Sequence, residues 1–289
     1  MKDYLIRGLA FNDEIRFFAV KSTELVEEIR RRHDAYPTAI AAVGRTATAA
    51  AMLGAMQKSG DIVDVRVGGN GPLGKILATA DEDGNVRAYA SNMQVHLPSN
   101  DKGKLDVRGV VGTQGELVII KDLGLAEKYT TTSPIVSGEI AEDFTYYFAK
   151  SEQVPSAVSL GVLVETDNSV IAAGGFIVQV LPFASDETIT KLENVLSNIK
   201  PVSTLIHEGN TLEDIAKMLF GEDYRVLKSN DVKFSCSCNK EKYADAIITL
   251  GREELEDMAK EENIETVCSF CNEKYVFSQS EIKELIEKL

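Results

Sequence analysis

The chain has 289 residues, 44% of them hydrophobic, enough for one large domain or two to three smaller ones with a real core. Its 31 Lys and Arg against 45 Asp and Glu give a net charge of −14, which opposes attraction to nucleic acid or to an anionic membrane surface. The opening stretch MKDYLIRGLAFNDEIRF is interrupted by Asp3, Arg7, Asp13 and Glu14 and lacks the unbroken apolar core of a signal peptide, so the expected location is the cytoplasm.

Residues 4–11 and 14–20 are rich in β-branched, aromatic and aliphatic side chains and flank Asn12-Asp13, the composition of a strand hairpin. Ser22 is placed to cap a helix running to about residue 34, and Pro37 starts another. That second helix contains AIAAVGRTATAAAMLGAM, residues 39–56. The run is too weakly apolar to span a bilayer and carries Arg45 in its middle; its small side chains suit a helix that its neighbours approach closely. Strands follow at 62–67, 75–80, 86–90 and 117–121, with the turn composition DEDGN between the second and third. A helix over 138–151 precedes two apolar runs, 156–165 and 171–180, joined by TDNS and read as a buried hairpin. Strands and helices interleave without the regular alternation of a parallel sheet, so residues 1–180 are expected to form an α+β domain.

From residue 181 the pattern changes. Ile189, Leu192, Val195, Leu196 and Ile199 recur at helical spacing over 186–199, and a second amphipathic helix runs from Thr211, with Asp214 as its capping-box partner, to Phe220. Residues 181–231 are therefore expected to be a helical linker region. Residues 232–289 form a small C-terminal module, with a helix near 252–262 and a last helix that Ser278 and Glu281 cap.

That module holds every cysteine of the chain: Cys236, Cys238, Cys268 and Cys271, in the pattern C-x-C, 29 residues, C-x-x-C. Cytosolic proteins seldom keep structural disulfides, so two close pairs point to metal binding or redox chemistry. Brought together they supply four thiolates at about 2.3 Å from a tetrahedral Zn²⁺, a closed arrangement with no position for water and hence none for hydrolytic catalysis. Zinc ribbons often bind nucleic acid, but residues 232–289 carry eight Lys and Arg against thirteen Asp and Glu, a local charge of −5 before the thiolates are counted. A module of 58 residues has little core of its own, so its folding is expected to depend on the metal. Oxidation of the thiolates to disulfides would then remove the ligands and melt the module, which makes it a redox switch.

Other motifs carry less. GNGPLGKI, residues 69–76, approaches a phosphate loop, but Ile76 stands where Mg²⁺ needs a hydroxyl and a strand follows where a helix is required. AVSLG, residues 157–161, approaches a nucleophile elbow but has Ala157 in place of Gly, leaving Ser159 a strand residue. His33 ends a helix, and His96 and His207 are expected in loops. A thioredoxin-like C-x-x-C would follow a strand in a βαβ unit and would need no second pair.

The cysteine pairs, with GRTATAAAMLGAM, GNGPLGKI, GNVRAY, SGEIAEDFTYYFAKSEQ and AAGGFIVQVLP, make the chain resemble the heat-shock protein 33 family of holdase chaperones along nearly its whole length. The resemblance implies an ATP-independent chaperone and no enzyme, inactive when reduced and zinc-bound. It implies that Cys236, Cys238, Cys268 and Cys271 are both zinc ligands and redox-active residues, forming disulfides 236–238 and 268–271 on oxidation. It further implies that linker and module unfold together, that unfolded or oxidatively damaged client proteins bind the surface uncovered, and that the active form is a homodimer. The contrasting readings are a constitutive zinc-ribbon adaptor for one folded partner and a thiol-disulfide exchange enzyme. Suppression of aggregation of unrelated clients only after oxidation separates a holdase from the first, and turnover of an external disulfide would reveal the second.

Overall fold

In the computed structural model, which describes residues 2–289, Phe11, Asn12 and Asp13 all take left-handed backbone angles and close the first hairpin, β1 (Tyr4–Ala10) with β2 (Ile15–Lys21). Helices α1 (Thr23–His33) and α2 (Pro37–Ala55) follow, then β3 (Ile62–Gly69), β4 (Lys75–Asp81) and β5 (Asn85–Ala90). After α3 (Val107–Val111) come β6 (Gly115–Asp122), β7 (Tyr129–Pro134) and α4 (Ala141–Tyr147), which runs into a π-helical turn, Phe148–Glu152. The long hairpin β8 (Ser156–Val164) and β9 (Val170–Val180) leads to α5 (Asp186–Asn198), α6 (Val202–His207) and α7 (Leu212–Phe220). Strands β10 (Tyr224–Asp231) and β11 (Lys233–Phe234) complete a first compact unit that ends at Ser235; Cys236–Leu289 form the second.

The first unit is built on two sheets. One is antiparallel in the order β10-β1-β2-β9-β8; the other runs β11-β5-β4-β3-β6-β7, antiparallel except for the parallel pair β11 and β5. The main core lies between them: Val20, Val162 and Ile177 from the first sheet face Val65, Ile76 and Ile119 from the second, with α2 in the middle. Every residue of α2 except Pro37 and Arg45 is buried, so its all-round small-apolar sequence belongs to a helix enclosed by protein. The close approach is literal: a Cβ on Gly44 would meet Val26 at 2.5 Å, and one on Gly54 would meet the Asp81 carbonyl oxygen at 2.4 Å. Among the described residues no helix is long and apolar enough to cross a membrane.

The opposite face of the five-stranded sheet carries Ile6, Ile15, Phe17, Phe176 and Val178 and is covered by Leu192, Leu205, Ile206, Ile215, Leu219 and Phe220 of α5–α7. Residues 181–231, set out above as a separate linker, thus lie within the first unit, because their apolar faces and β10 are absorbed by this sheet; Val232, buried in the main core, and β11, paired with β5 of the other sheet, belong to it as well. His207, expected in a loop, is the last residue of α6.

Ser22 precedes α1 but does not cap it with its side chain. Its hydroxyl instead meets that of Thr48 at 2.7 Å, and the buried Asp3 carboxylate accepts the Leu25 N–H at 2.8 Å. The other Asp3 oxygen is buried with no hydrogen-bond partner. Burial, assisted by Glu24 and opposed by the Leu25 N–H and Lys21, pushes the Asp3 carboxyl up to about 7 from 3.8. Between those values the folded chain keeps a proton that the unfolded chain has lost. Stability therefore falls as pH rises through that window, by at most about 1.4 kcal/mol per pH unit from this group, and levels off above it. Urea titrations of wild type and Asp3→Asn should show the wild-type-minus-variant difference falling from pH 4 to 7; a constant difference would remove Asp3 as the titrating group.

Candidate metal centre

The second unit contains α8 (Lys240–Ile248), α9 (Arg252–Met258), the two-stranded β12 (Asn263–Val267) and β13 (Lys274–Ser278), and α10 (Gln279–Glu287). Its buried core is small: Ile247, Leu255, Phe277, Ile282 and Leu285. Polar contacts at helix ends set its geometry. The Asn239 side chain caps α8 through the Lys242 N–H, and Ser278 with Glu281 forms the expected capping box of α10.

The first cysteine pair lies in the segment entering α8, where the Lys242 ammonium donates to the Ser237 carbonyl at 2.6 Å. The second lies in the tight turn between β12 and β13. There the Asn272 N–H donates to the Cys268 carbonyl at 2.8 Å, the Cys268 N–H donates to the Glu273 carbonyl at 2.9 Å, and Asn272 takes a φ of 59°. This turn aims the N–H groups of Phe270 and Cys271 at the Cys268 sulfur.

The four sulfurs of Cys236, Cys238, Cys268 and Cys271 lie within 4.8 Å of one another. Cys236 Sγ is 3.7 Å from Cys268 Sγ, and Cys238 Sγ is 3.3 Å from Cys271 Sγ. A tetrahedron with metal–sulfur bonds of about 2.3 Å has edges of about 3.8 Å, so donor set and spacing both suit Zn²⁺. Cys268 and Cys271 are buried, and Cys236 and Cys238 are half-buried. Burial pushes the Cys238 and Cys271 thiols up. At Cys268 burial acts in the same sense but is outweighed by the Tyr243 hydroxyl and the turn N–H groups, which bring it down to about 6 from 9.0.

All four sequence-predicted residues meet here, and among the described residues no other group of three or more His, Cys, Asp or Glu side chains is assembled in this way. The weaker motifs stay apart. Asn70–Gly74 form the turn between β3 and β4, with Ile76 of β4 fully buried, and Ser159 sits within β8. Sequence reasoning passed over two tyrosines at the site. The Tyr275 hydroxyl donates to Cys238 Sγ at 3.2 Å, and the Tyr243 ring lies against that of Tyr275 with centroids 5.0 Å apart. Their signal was a near-repeat, CNKEKY at 238–243 and CNEKY at 271–275, in which the second cysteine of each pair precedes a tyrosine.

A two-sheet α+β unit joined to a small unit that gathers four cysteines defines the class of protein. The Hsp33 protein family matches residues 3–278, and the chain belongs to this family of chaperones, which are not enzymes. It is 51% identical to the 33 kDa chaperonin of Staphylococcus epidermidis over 289 residues, covering 99% of each chain. It is 51% identical to the 33 kDa chaperonin of Bacillus subtilis over 284 residues, covering 98% of each. The crystal structure of the 33 kDa chaperonin (heat shock protein 33 homolog) from Thermotoga maritima superposes with a TM-score of 0.94 at 39% identity, over 100% of this chain and 99% of that one.

Proposed function

We propose that this chaperone is an ATP-independent holdase held inactive while Cys236, Cys238, Cys268 and Cys271 are reduced and bind zinc, and activated when they oxidise. The observation that carries the reading is the convergence of four sulfurs within 4.8 Å in a unit whose buried core is only five side chains. A zinc ion bound there supplies folding free energy, about 10–16 kcal/mol in structural sites of small peptides. The cysteines serve as its thiolate ligands only while unpaired. In forming the disulfides 236–238 and 268–271, each pair of thiolates gives up two electrons to one hydrogen peroxide, which takes two protons from solvent and leaves as two waters, and the pair ceases to be a chelating pair.

Without that support the five-residue core does not hold residues 232–289, and residues 181–231 lose order with them as a linker. The departure of α5–α7 uncovers the face bearing Ile6, Ile15, Phe17, Phe176 and Val178, contiguous apolar surface to which unfolded or oxidatively damaged clients bind without sequence preference. The active form is a homodimer, the setting is the cytoplasm, and a net charge of −14 argues against nucleic acid as a partner. The test is hydrogen exchange during treatment with hydrogen peroxide, alongside zinc release and light scattering of two unrelated aggregating clients. Exchange should rise across 181–231 and 232–289 while 4–180 stays protected, in step with zinc release and with suppression of aggregation. Exchange confined to 232–289 would reject a shared switch, and suppression that is undiminished by reductant would reject redox control.

A further inference from the structure

The two tyrosines beside the sulfurs are wired crosswise. Tyr243, on α8, follows the first cysteine pair in the chain, yet its hydroxyl helps to bring the Cys268 thiol of the second pair down. Tyr275, on β13, follows the second pair, yet its hydroxyl donates to Cys238 of the first at 3.2 Å. The two rings lie against each other, with centroids 5.0 Å apart and planes at 30°, and both pack on the small core of the unit. Each half of the centre thus contributes two sulfurs and one phenol, and each phenol reaches across to the other half.

A C-x-C segment and a C-x-x-C turn separated by 29 residues have no covalent reason to meet in one register. Hydrogen-bond donors outside the ligand shell fix the orientation of ligands, and their removal typically costs about 10–100-fold in metal affinity. We propose that Tyr243 and Tyr275 are positioning residues that hold the two cysteine pairs in register for a tetrahedral metal and share the negative charge of the bound thiolates, each through a sulfur of the opposite pair. The inference rests on the Cys₄ metal reading above and extends it to the residues that assemble the centre. A Tyr contributes a stacked ring and a donor O–H; Phe keeps the ring and removes only the donor, so Tyr→Phe isolates the hydrogen bond from the packing.

The experiment uses the full-length reduced protein, Tyr243→Phe, Tyr275→Phe and the double variant, titrated with Co²⁺ as a spectroscopic substitute and with Zn²⁺ in competition with a chromogenic chelator. Each single variant should lose about 10-fold in Zn²⁺ affinity and the double variant more. The thiolate-to-cobalt charge-transfer band should move to longer wavelength in each single variant, because a sulfur relieved of a hydrogen bond holds its electrons less tightly. A purely structural role for the rings would move neither quantity, since Phe preserves the stack. Wild type and variants with the same affinity and the same band position would overturn the proposal while leaving the metal reading intact. Failure of wild type to give tetrahedral Co²⁺ bands would overturn both.

Discussion

Replacement of Cys271 by Ser should unfold Cys236–Leu289 under reducing conditions with zinc in excess and, on the proposed mechanism, loosen residues 181–231 with it, while residues 4–180 stay folded. A serine hydroxyl is not ionised at neutral pH, so it takes no thiolate's place, and three sulfurs retain only part of the about 10–16 kcal/mol that a complete structural site supplies. Loss of even about 4 kcal/mol raises the population of the open state roughly a thousandfold, and the remaining core of Ile247, Leu255, Phe277, Ile282 and Leu285 is too small to offset it. Limited proteolysis and hydrogen exchange read the result directly: cleavage and exchange throughout 236–289 and across 181–231, protection across residues 4–180. Undiminished protection of α8–α10 in Cys271→Ser would mean that the module's fold does not depend on a complete four-sulfur site and would sink the switch.

The second large effect is expected from Phe220→Ala. Phe220 closes the end of α7 over the first sheet, with ring centroids 5.0 Å from Phe17, 5.6 Å from Phe11 and 6.5 Å from Tyr224, and is 2% exposed. Truncating a buried Phe costs about 3–5 kcal/mol through lost burial and the cavity left behind. The polar ties of α7 would survive, since the Leu212 N–H donates to the Tyr4 hydroxyl at 3.0 Å and the Tyr224 hydroxyl to the Glu213 carbonyl at 3.1 Å. The helix should therefore loosen at its C-terminal end first. A lower urea midpoint is expected, with raised hydrogen exchange across 212–220. On the proposed mechanism the variant should also suppress aggregation at a lower dose of peroxide. A variant that is destabilised but needs the wild-type dose would separate the docking of α7 from activation.

The sequence made most of this architecture readable wherever one side of an element is buried. Residues 62–67 alternate because β3 turns Val63, Val65 and Val67 inward, and the apolar residues of 212–220 recur because α7 lies on a sheet. Elements without that contrast stayed hidden. β10 is an edge strand with every residue exposed or half-buried; β7 is Thr-rich, exposed or half-buried but for Ser133, and ends in Pro134; α6 has six residues, too few to show a period. The hairpin of the second unit is short, five residues on each side, and the cysteines drew attention from it. The sulfurs were legible because cysteine is scarce and its spacing is chemical. The tyrosines were not, since a half-buried aromatic near a small core reads as packing until its hydroxyl is seen on a sulfur. Amphipathic faces at 186–199 and 212–220 showed that those helices need a surface, but nothing local says which surface.

Helices α5–α7 begin after β9 and end before β10, and both strands belong to the same five-stranded sheet. The 43 residues between Val180 and Tyr224 therefore form a loop tethered at both ends on the very sheet they cover. In the first stage of opening, when the helices have lifted and β10 has not yet left β1, the loop cannot diffuse away, and its apolar face stays near the bared strands at an effective concentration of about millimolar. Recovery is then unimolecular and independent of protein concentration. Any chain occupying the exposed face must bind tightly enough to outcompete this permanent internal rival, and reformation of the helices would itself act as a displacing force. The same tethering limits the entropy gained on release, since a loop closed at both ends has far fewer conformations than a free tail. Reversal of the opened state is thus encoded in the order of the strands.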